Sequence, residues 1–239
     1  LLYLCSSPFI TPYEVGFVRR WIEAVRHAPD PQLRRAAILI RPHPQNAAQW
    51  ADFDPTVFEA VGIWPRGGAN PVDTDARADY YDSMFHSVAM VGINTSALIE
   101  SGIVGRPVFT VLASEFAGQQ EGTLHFQHLK NANGGLLHVA ASMDEHLAQL
   151  TRVVHGEHDV AKSRTFVEAF VRPHGIDTPA AGKFVDVIEA TAAAPRPAPV
   201  RGSLLQSIGR PLLTPLAILA RSRARPPLAA SARHAQHSD

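Results

Sequence analysis

The sequence predicts an α/β fold, in which a parallel β-sheet is covered by helices on both faces. Short apolar runs that end at turn residues alternate with amphipathic stretches from residue 1 to residue 194. Apolar runs without polar alternation are typical of strands that are buried on both faces, as they are in parallel sheets. The amphipathic stretches repeat apolar residues three and four positions apart, which indicates helices that pack on one side. Their alternation with the apolar runs predicts crossover connections, and therefore parallel strands.

The elements follow one another in a regular order along the chain. The predicted strands, each closed by glycine, proline or polar residues, are 1–5, 37–40, 61–64, 88–93, 108–112 and 136–139. The predicted helices are 12–27, 46–52, 75–86, 97–104, 123–130, 143–154, 160–171 and 180–193. The first helix is the clearest, because valine or isoleucine recurs at positions 15, 18, 22 and 25. A sheet of this kind binds ligands beyond the carboxyl ends of its strands.

The composition favours one large folded domain with an appended tail. Of the 239 residues, 46 % are hydrophobic and 18 % are charged, so the chain has enough apolar side chains for a core. We predict that residues 1–194 form the α/β domain. Residues 195–239 are rich in proline, alanine and arginine. We expect this tail to be either disordered or attached to a membrane surface.

The charge is unevenly distributed, although the 22 basic and 22 acidic residues cancel. Seven arginines and one acidic residue lie in 195–239, which leaves the rest of the chain with a net charge of −6. A domain that binds nucleic acid is expected to be basic, so the sequence predicts no nucleic-acid partner. The basic tail suits an anionic membrane surface instead.

The cysteine content and the start of the chain bear on its cellular context. Cys5 is the single cysteine, so no disulfide can form within the chain, which fits a reducing, cytoplasmic location. The chain begins at Leu1, with an apolar run too short for the core of a signal peptide. We therefore expect it to be the C-terminal part of a longer protein. No uninterrupted apolar run has the length of a membrane span.

Residues 88–111 are the most informative segment of the chain. A predicted strand runs into the polar turn Asn94, Thr95 and Ser96, and a predicted helix follows directly. Free backbone amides and the positive end of the helix dipole make such a turn suitable for phosphate. Glu100 lies one turn further along the helix, where it can accept hydrogen bonds from a ribose. The alternative is that the turn only caps the helix and Glu100 is solvated.

Two other polar segments follow predicted strands. In Arg41-Pro42-His43-Pro44 the prolines restrict the backbone, so that His43 is presented at the sheet edge as a general base or a phosphate ligand. Arg41 is expected to clamp phosphate, and the alternative for His43 is that it packs and caps a turn. The loop after residue 112 leads to Gln120, Thr123 and His125, which are either substrate contacts or solvated surface residues.

The sequence lacks the motifs of several protein classes, namely hydrolases with a nucleophile elbow, P-loop proteins and dinucleotide-binding proteins. There is no G-x-S-x-G nucleophile elbow, no Walker loop and no G-x-G-x-x-G fingerprint. His125 and His128 have a spacing that can bind a metal, but no third ligand is evident, so no metal site is predicted. The Asp73-Thr74-Asp75 pattern precedes a helix, where capping is the better interpretation.

Taken together, these motifs resemble the C-terminal half of a GT-B glycosyltransferase. The similarity is greatest to bacterial surface and capsular polysaccharide enzymes of the CDP-glycerol glycerophosphotransferase type, and UDP-N-acetylglucosamine 2-epimerase is more distant. It rests on RPHP at 41–44, on DYYDSMFHSVAMVGINTSALIESGIVGRPV at 79–108 and on EGTLHFQHL at 121–129. It covers about residues 1–155 and implies a Rossmann-like domain that binds a nucleotide-activated donor.

The resemblance also implies roles for individual residues. Thr95 and Ser96 would contact the donor phosphates, Glu100 the ribose or sugar, and His43 would contact phosphate or assist transfer. Ser6 and Ser7 would add to the phosphate cradle. The predicted site thus has His43 and Glu100 as catalytic residues and Arg41, Asn94, Thr95, Ser96, Ser6, Ser7, Gln120, Thr123 and His125 as donor-binding residues. Neither a metal nor another cofactor is implied, because helix N-termini and side chains neutralise the leaving diphosphate.

The function predicted first is therefore transfer of a sugar or polyol phosphate from a nucleotide-activated donor to a glycan or lipid-linked acceptor. Such an enzyme would act in the cytoplasm, with the inner membrane as the surface for a peripheral tail. A second enzymatic possibility is a nucleotide-sugar 2-epimerase-like reaction, with His43 and Glu100 as acid–base groups. A third is a non-catalytic nucleotide-binding module of a polysaccharide assembly complex, since the acceptor half of the resembled enzymes is missing.

Overall fold

The computed structural model describes residues 1–195, 209 and 213–219, and six parallel strands in this part of the chain form one sheet. They are β1 (Leu2–Leu4), β2 (Ile38–Arg41), β3 (Val61–Ile63), β4 (Met90–Val91), β5 (Val108–Val111) and β6 (Leu137–Ala140). Each lies where an apolar run predicts it, which confirms the α/β, Rossmann-like fold class. The strand order is β3-β2-β1-β4-β5-β6.

The described helices are α1 (Glu14–Arg26), α2 (Pro31–Arg34), α3 (Thr74–Phe85), α4 (Ala97–Ile103), α5 (Leu124–Asn131), α6 (Met143–Val154), α7 (Val160–Phe166) and α8 (Ala180–Ala193). Short 3₁₀ helices lie at Pro44–Trp50, Pro55–Val57, Ser114–Phe116 and Ala132–Gly134, and α7 continues into a π-helical turn at Val167–Val171. The predicted helix at 46–52 is the 3₁₀ segment, which starts earlier because Pro44 is suited to a first helical turn. None of the described helices has the length and hydropathy that a membrane crossing requires.

Helices cover both faces of the sheet, because alternate strand residues point to opposite sides. On one face Tyr3, Ile40 and Phe109 pack in a buried cluster with residues of α1 and α6. On the other face, the neighbouring strand residues Leu2, Leu4 and Met90 pack with residues of α4 and α5. This burial on both sides explains why the strands read as continuous apolar runs in the sequence.

The chain divides into two units, Leu1–Ala180 and Ala181–Asp239. The first unit holds the whole described sheet and all of the predicted site residues. The described part of the second unit holds α8 from Ala181 onward and the helical residues 213–219. Apart from residues 195, 209 and 213–219, the predicted disordered or membrane-attached tail lies outside the described residues.

The strand order creates a crevice between β1 and β4. The chain runs outward from β1 through β2 to β3, and then returns to the other side of β1 for β4, β5 and β6. At such a switch point the connections leave in opposite directions, which opens a ligand-binding crevice at the carboxyl ends of the two strands. Leu2 is in register with Met90 and Tyr3 with Val91, so β4 ends one residue before β1.

Gly92 allows β4 to leave the sheet close to the end of β1. A Cβ atom on Gly92 would lie 2.8 Å from the carbonyl oxygen of Leu4 and 3.2 Å from Cδ2 of Leu98. The backbone oxygen cannot move aside without disturbing β1. We therefore expect Gly92→Ala to lower the free energy of unfolding by about 1–3 kcal/mol, measured by urea denaturation.

Gly67 provides the matched control for this substitution. A Cβ atom there has no neighbour within 4 Å. Gly67→Ala should change the stability by less than about 1 kcal/mol, in either direction. Equal effects of the two substitutions would contradict the importance of the close approach between β1 and β4.

Candidate functional site

Two adjoining cavities form a cleft at the carboxyl edge of the sheet. The first, of about 160 Å³, extends toward α3 and the residues after β2. The second, of about 330 Å³, extends toward the loop after β1 and the start of α5. His43, Thr95 and Ser96 line both cavities, so these three residues occupy the middle of the cleft. The fold thus brings together residues that are far apart in the sequence, at the position where this topology binds ligands.

His43 presents a hydrogen-bond donor to the cleft. Its Nδ1 accepts a hydrogen bond from the backbone N–H of Gln45 at 3.2 Å. In the neutral ring the proton is therefore on Nε2. Burial lowers the pKa of His43, which favours this neutral form. The geometry favours donation from Nε2 to a phosphate oxygen over the general-base role that the sequence also allowed.

Thr95 and Ser96 stand directly before α4. The Ser96 side chain makes no capping hydrogen bond to the helix, so its hydroxyl is available to a ligand. Ser96 is exposed and Thr95 is half-buried. The dipole of α4 adds a partial positive charge at this end of the helix. The predicted phosphate contacts therefore lie beside His43, where their donors can act together.

Glu100 lies in the first cavity, where a tyrosine holds its carboxylate. Tyr80 donates a hydrogen bond from its hydroxyl to Oε2 of Glu100 at 2.5 Å. Burial raises the pKa of Tyr80 and the hydrogen bond to Glu100 raises it further, so the phenol stays protonated. Both residues line the cavity. Sequence reasoning missed Tyr80, since helical periodicity alone does not separate it from its exposed neighbour Tyr81.

Arg41 lines the first cavity, where it was predicted to clamp phosphate, but its guanidinium is also held by residues of α3. The side chain is 7 % exposed, and Nη1 lies 2.8 Å from Oδ2 of Asp79 and 2.6 Å from Oγ of Ser83. Its guanidinium also lies 5.2 Å from the centre of the Tyr80 ring. The charge of Arg41 is thus countered by Asp79, and the side chain links β2 to α3. Arg41 therefore contacts Tyr80, the hydrogen-bond partner of Glu100.

Asn94 organises the second cavity. Its Nδ2 donates hydrogen bonds to the carbonyl oxygen of Gln119 and to Oγ1 of Thr123, each at 2.9 Å. Because a carbonyl oxygen can only accept, this pairing fixes the orientation of the amide. Oδ1 of Asn94 therefore faces Nδ1 of His125, 2.7 Å away, and Nδ1 must carry the proton.

His125 consequently has an unprotonated Nε2. That atom is buried and has no hydrogen-bond partner among the described residues. Burial lowers the pKa of His125, and the nearby His128 lowers it further, so the ring is neutral. His125 lines the second cavity together with Thr123 and Ser7. His43 and His125 therefore have opposite tautomers, one with a donor and the other with an acceptor at Nε2.

Ser6 supports the cleft from below instead of lining it. Its side chain is fully buried, and Oγ accepts a hydrogen bond from the backbone N–H of Asn94 at 3.3 Å. Its own N–H donates to Oε2 of Glu14 at 2.9 Å. Ser6 was predicted to contact the donor phosphates, but its side chain does not reach the cleft. Ser7, which was predicted to do the same, does line the second cavity.

Gln120 also differs from its predicted role as a donor-binding residue. It is fully buried and lines neither cavity of the cleft. Its amide nitrogen donates to the carbonyl oxygens of Ile93 and Val111, at 3.3 and 3.0 Å, and its oxygen accepts from the N–H of Ala113 at 3.0 Å. Gln120 therefore holds the ends of β4 and β5 together. Its hydrogen-bonding groups are used inside the protein, which a polar loop sequence does not reveal.

Glu14 is the second residue of importance that sequence reasoning missed. It is fully buried, and Oε1 accepts a hydrogen bond from the Tyr3 hydroxyl at 3.1 Å. Burial raises its pKa to about 8. A hydrogen-bonded chain thus runs from Glu14 through Ser6 and Asn94 to His125. In the sequence Glu14 is an ordinary acidic residue in the first turn of a helix.

The fold and the cleft define the class of the protein as a Rossmann-like α/β domain with a polar crevice at its switch point. Within residues 1–195, 209 and 213–219, no group of three or more His, Cys, Asp or Glu side chains is placed to hold a metal ion. Comparison of the chain with family models, curated proteins and solved structures finds no match.

Proposed function

We propose that this chain is the donor-binding domain of a glycosyltransferase-like enzyme of bacterial cell-surface polysaccharide synthesis. It would transfer a sugar or polyol phosphate from a nucleotide-activated donor. The observation that carries the proposal is the arrangement of the cleft. Three residues that can donate hydrogen bonds to phosphate, His43, Thr95 and Ser96, lie in the middle of the cleft. On one side is the pair Tyr80–Glu100 and on the other the pair Asn94–His125, and each pair can accept a hydrogen bond from a hydroxyl.

This arrangement matches the chemistry of a nucleoside diphosphate ester, which has anionic phosphates between two hydroxyl-bearing ends. Glu100 would accept hydrogen bonds from ribose hydroxyls, while Tyr80 keeps its carboxylate in place. Nε2 of His125 would accept a hydrogen bond from a hydroxyl of the transferred group. The two ends of the donor would then be distinguished by the two cavities.

The catalytic contribution of this domain would be stabilisation of the departing phosphate. Nε2–H of His43 and the hydroxyls of Thr95 and Ser96 are donors that line the middle of the cleft. Such donors stabilise charge that develops on a leaving group, because they need no reorganisation during the reaction. Binding of the donor in one orientation would supply the remaining advantage.

The ribose contact gives the first test of the proposal. We expect calorimetry of the protein with CDP, CMP, UDP, GDP and ADP to show selective binding of one pyrimidine nucleotide. Glu100→Gln keeps the shape of the side chain but removes its charge. A hydrogen bond to a charged group contributes about 1.5–3 kcal/mol, so the affinity should fall roughly 10- to 150-fold.

Asp82→Asn is the matched control, because Asp82 is an exposed carboxylate on α3 that does not line the cleft. This substitution should leave the affinity unchanged. Equal binding by the wild type and Glu100→Gln, or no nucleotide binding by the folded protein, would contradict the proposed site. Binding without any transfer in a longer protein that contains an acceptor domain would favour the non-catalytic module.

A further inference from the structure

Helix α8 has one apolar face and one charged face. Its apolar side chains Phe184, Val185, Val187 and Ile188 are 49–67 % exposed. At 3.6 residues per turn they share one side with the small residues Ala181 and Ala192. The charged residues Lys183, Asp186 and Glu189 project from the opposite side. A helix with this pattern normally buries its apolar face, so we expect these side chains to pack against a partner.

Further along the second unit, the helical residues 213–219 also carry exposed apolar side chains. Leu213, Leu216 and Ile218 are each more than 60 % exposed. None of the described helices is long and apolar enough to cross a membrane. An amphipathic helix such as α8 can lie in the plane of a membrane interface without spanning the membrane.

The charge of the same part of the chain identifies the kind of partner. Residues 195–239 contain seven arginines and a single acidic residue, Asp239. Anionic lipid surfaces attract such basic segments, and buried apolar side chains add to that attraction. The rest of the chain is net acidic, so the attraction is confined to this end of the sequence. An apolar partner protein would explain the exposed face of α8 but not the excess of arginine that follows it in the sequence.

We propose that residues 181–239 attach this chain to an anionic lipid bilayer surface. The apolar face of α8 inserts into the interface, and the arginines bind the lipid headgroups. The proposal does not depend on the nucleotide site, which lies in the other unit. It assigns to this end of the chain the task of keeping the sheet-bearing unit at a membrane surface.

The test is co-sedimentation of the whole chain with vesicles. Vesicles of phosphatidylcholine alone are compared with vesicles that also contain phosphatidylglycerol, at low and at high salt. We expect binding to the anionic vesicles, which weakens as the salt concentration rises. Replacement of Arg221, Arg223 and Arg225 by Gln should weaken binding by about fivefold for each arginine that contacts the surface.

Substitutions in α8 separate the apolar contribution from the charge. Phe184→Gln with Ile188→Gln keeps the helix propensity and the net charge, and we expect roughly tenfold or greater loss of binding. Asp186→Asn with Glu189→Gln changes the opposite face and should not weaken binding. Circular dichroism and urea denaturation of each variant verify that the first unit is intact.

Three results would overturn the proposal. They are equal sedimentation with and without anionic vesicles, equal binding to neutral and anionic vesicles, and full binding by the Phe184→Gln, Ile188→Gln variant. The first result, obtained with a folded protein, would exclude an anionic bilayer as the partner of the apolar face of α8. Loss of binding in both the arginine and the α8 variants, with the control unaffected, would support the attachment.

Discussion

Replacement of Glu14 by Gln is expected to remove a decline in stability between about pH 4.5 and about pH 8. Burial raises the pKa of Glu14 from 4.5 to about 8, so the folded protein holds a proton that the unfolded chain releases at lower pH. The stabilisation from this proton is complete below pH 4.5 and is lost as the pH rises through 8. For this shift the loss is roughly 4–5 kcal/mol.

The Gln side chain suits the same site without a charge. Its oxygen can accept from the N–H of Ser6, and its amide nitrogen can donate to the Tyr3 hydroxyl, which also accepts. Urea denaturation of both proteins across this pH range measures the effect. The stability of Glu14→Gln should increase relative to that of the wild type as the pH rises.

The buried His146 makes the stability depend on pH in the opposite direction. This contribution cancels when the wild type and Glu14→Gln are compared. Burial lowers the pKa of His146 from 6.5 to about 4, so its contribution is lost as the pH falls below 6.5. Because His146 is present in both proteins, the difference between them isolates Glu14. A difference that stays constant with pH would mean that Glu14 is ionised with an ordinary pKa, and would refute the prediction.

Replacement of Asn94 by Leu is expected to damage both the stability and the cleft. Leu has a similar size, but it cannot pair with the carbonyl of Gln119, with Thr123 or with Nδ1 of His125. Buried groups that lose their partners cost about 1–3 kcal/mol each, so for these three groups we expect a loss of at least roughly 3 kcal/mol. Nucleotide binding should also weaken, because His125 is no longer oriented.

Asn94→Asp separates orientation from packing. The carboxylate still accepts from His125, but its second oxygen faces the carbonyl of Gln119, which cannot donate. A negative charge beside His125 should raise its pKa, which burial lowers in the wild type. NMR titration of His125 reads this change directly, and an unchanged pKa would argue against contact between the two side chains.

The exposed Asn131 on α5 serves as the control for the Leu substitution. Its amide pairs with Gln127 at the surface, at 3.0 Å. Asn131→Leu should change the stability by no more than about 0.5 kcal/mol. A comparable loss of stability at both positions would show that the buried hydrogen bonds of Asn94 contribute no more than the surface hydrogen bond of Asn131.

Most of the elements of this fold are predictable because their causes are local. Apolar runs mark the strands, and helical spacing marks α1 and α6 within one or two residues of their ends. Some short elements are less visible. Asp30 caps α2 ahead of Pro31, yet four residues are too few for a periodic pattern. The strand order could not be predicted from such patterns, because it depends on which strands pair across long connections.

Site residues could be predicted from the sequence where their position depends only on where a strand ends. His43, Thr95, Ser96 and Glu100 follow strands or start a helix at the carboxyl edge, and the structure gathers them in one cleft. Their nucleotide ligand stays a prediction. The same reasoning did not distinguish residues that face the cleft from those that support it.

The sequence by itself therefore determined the elements, the fold class and the edge of the sheet where polar residues collect, since these depend on periodicity and turn chemistry. Only the tertiary structure decided that Ser6 and Gln120 point inward, that Arg41 pairs with Asp79, and that Tyr80 holds Glu100. The physical reason is that a polar side chain takes whichever hydrogen-bond partners the packed elements bring near it. Those partners are distant in sequence, so local patterns contain no record of them.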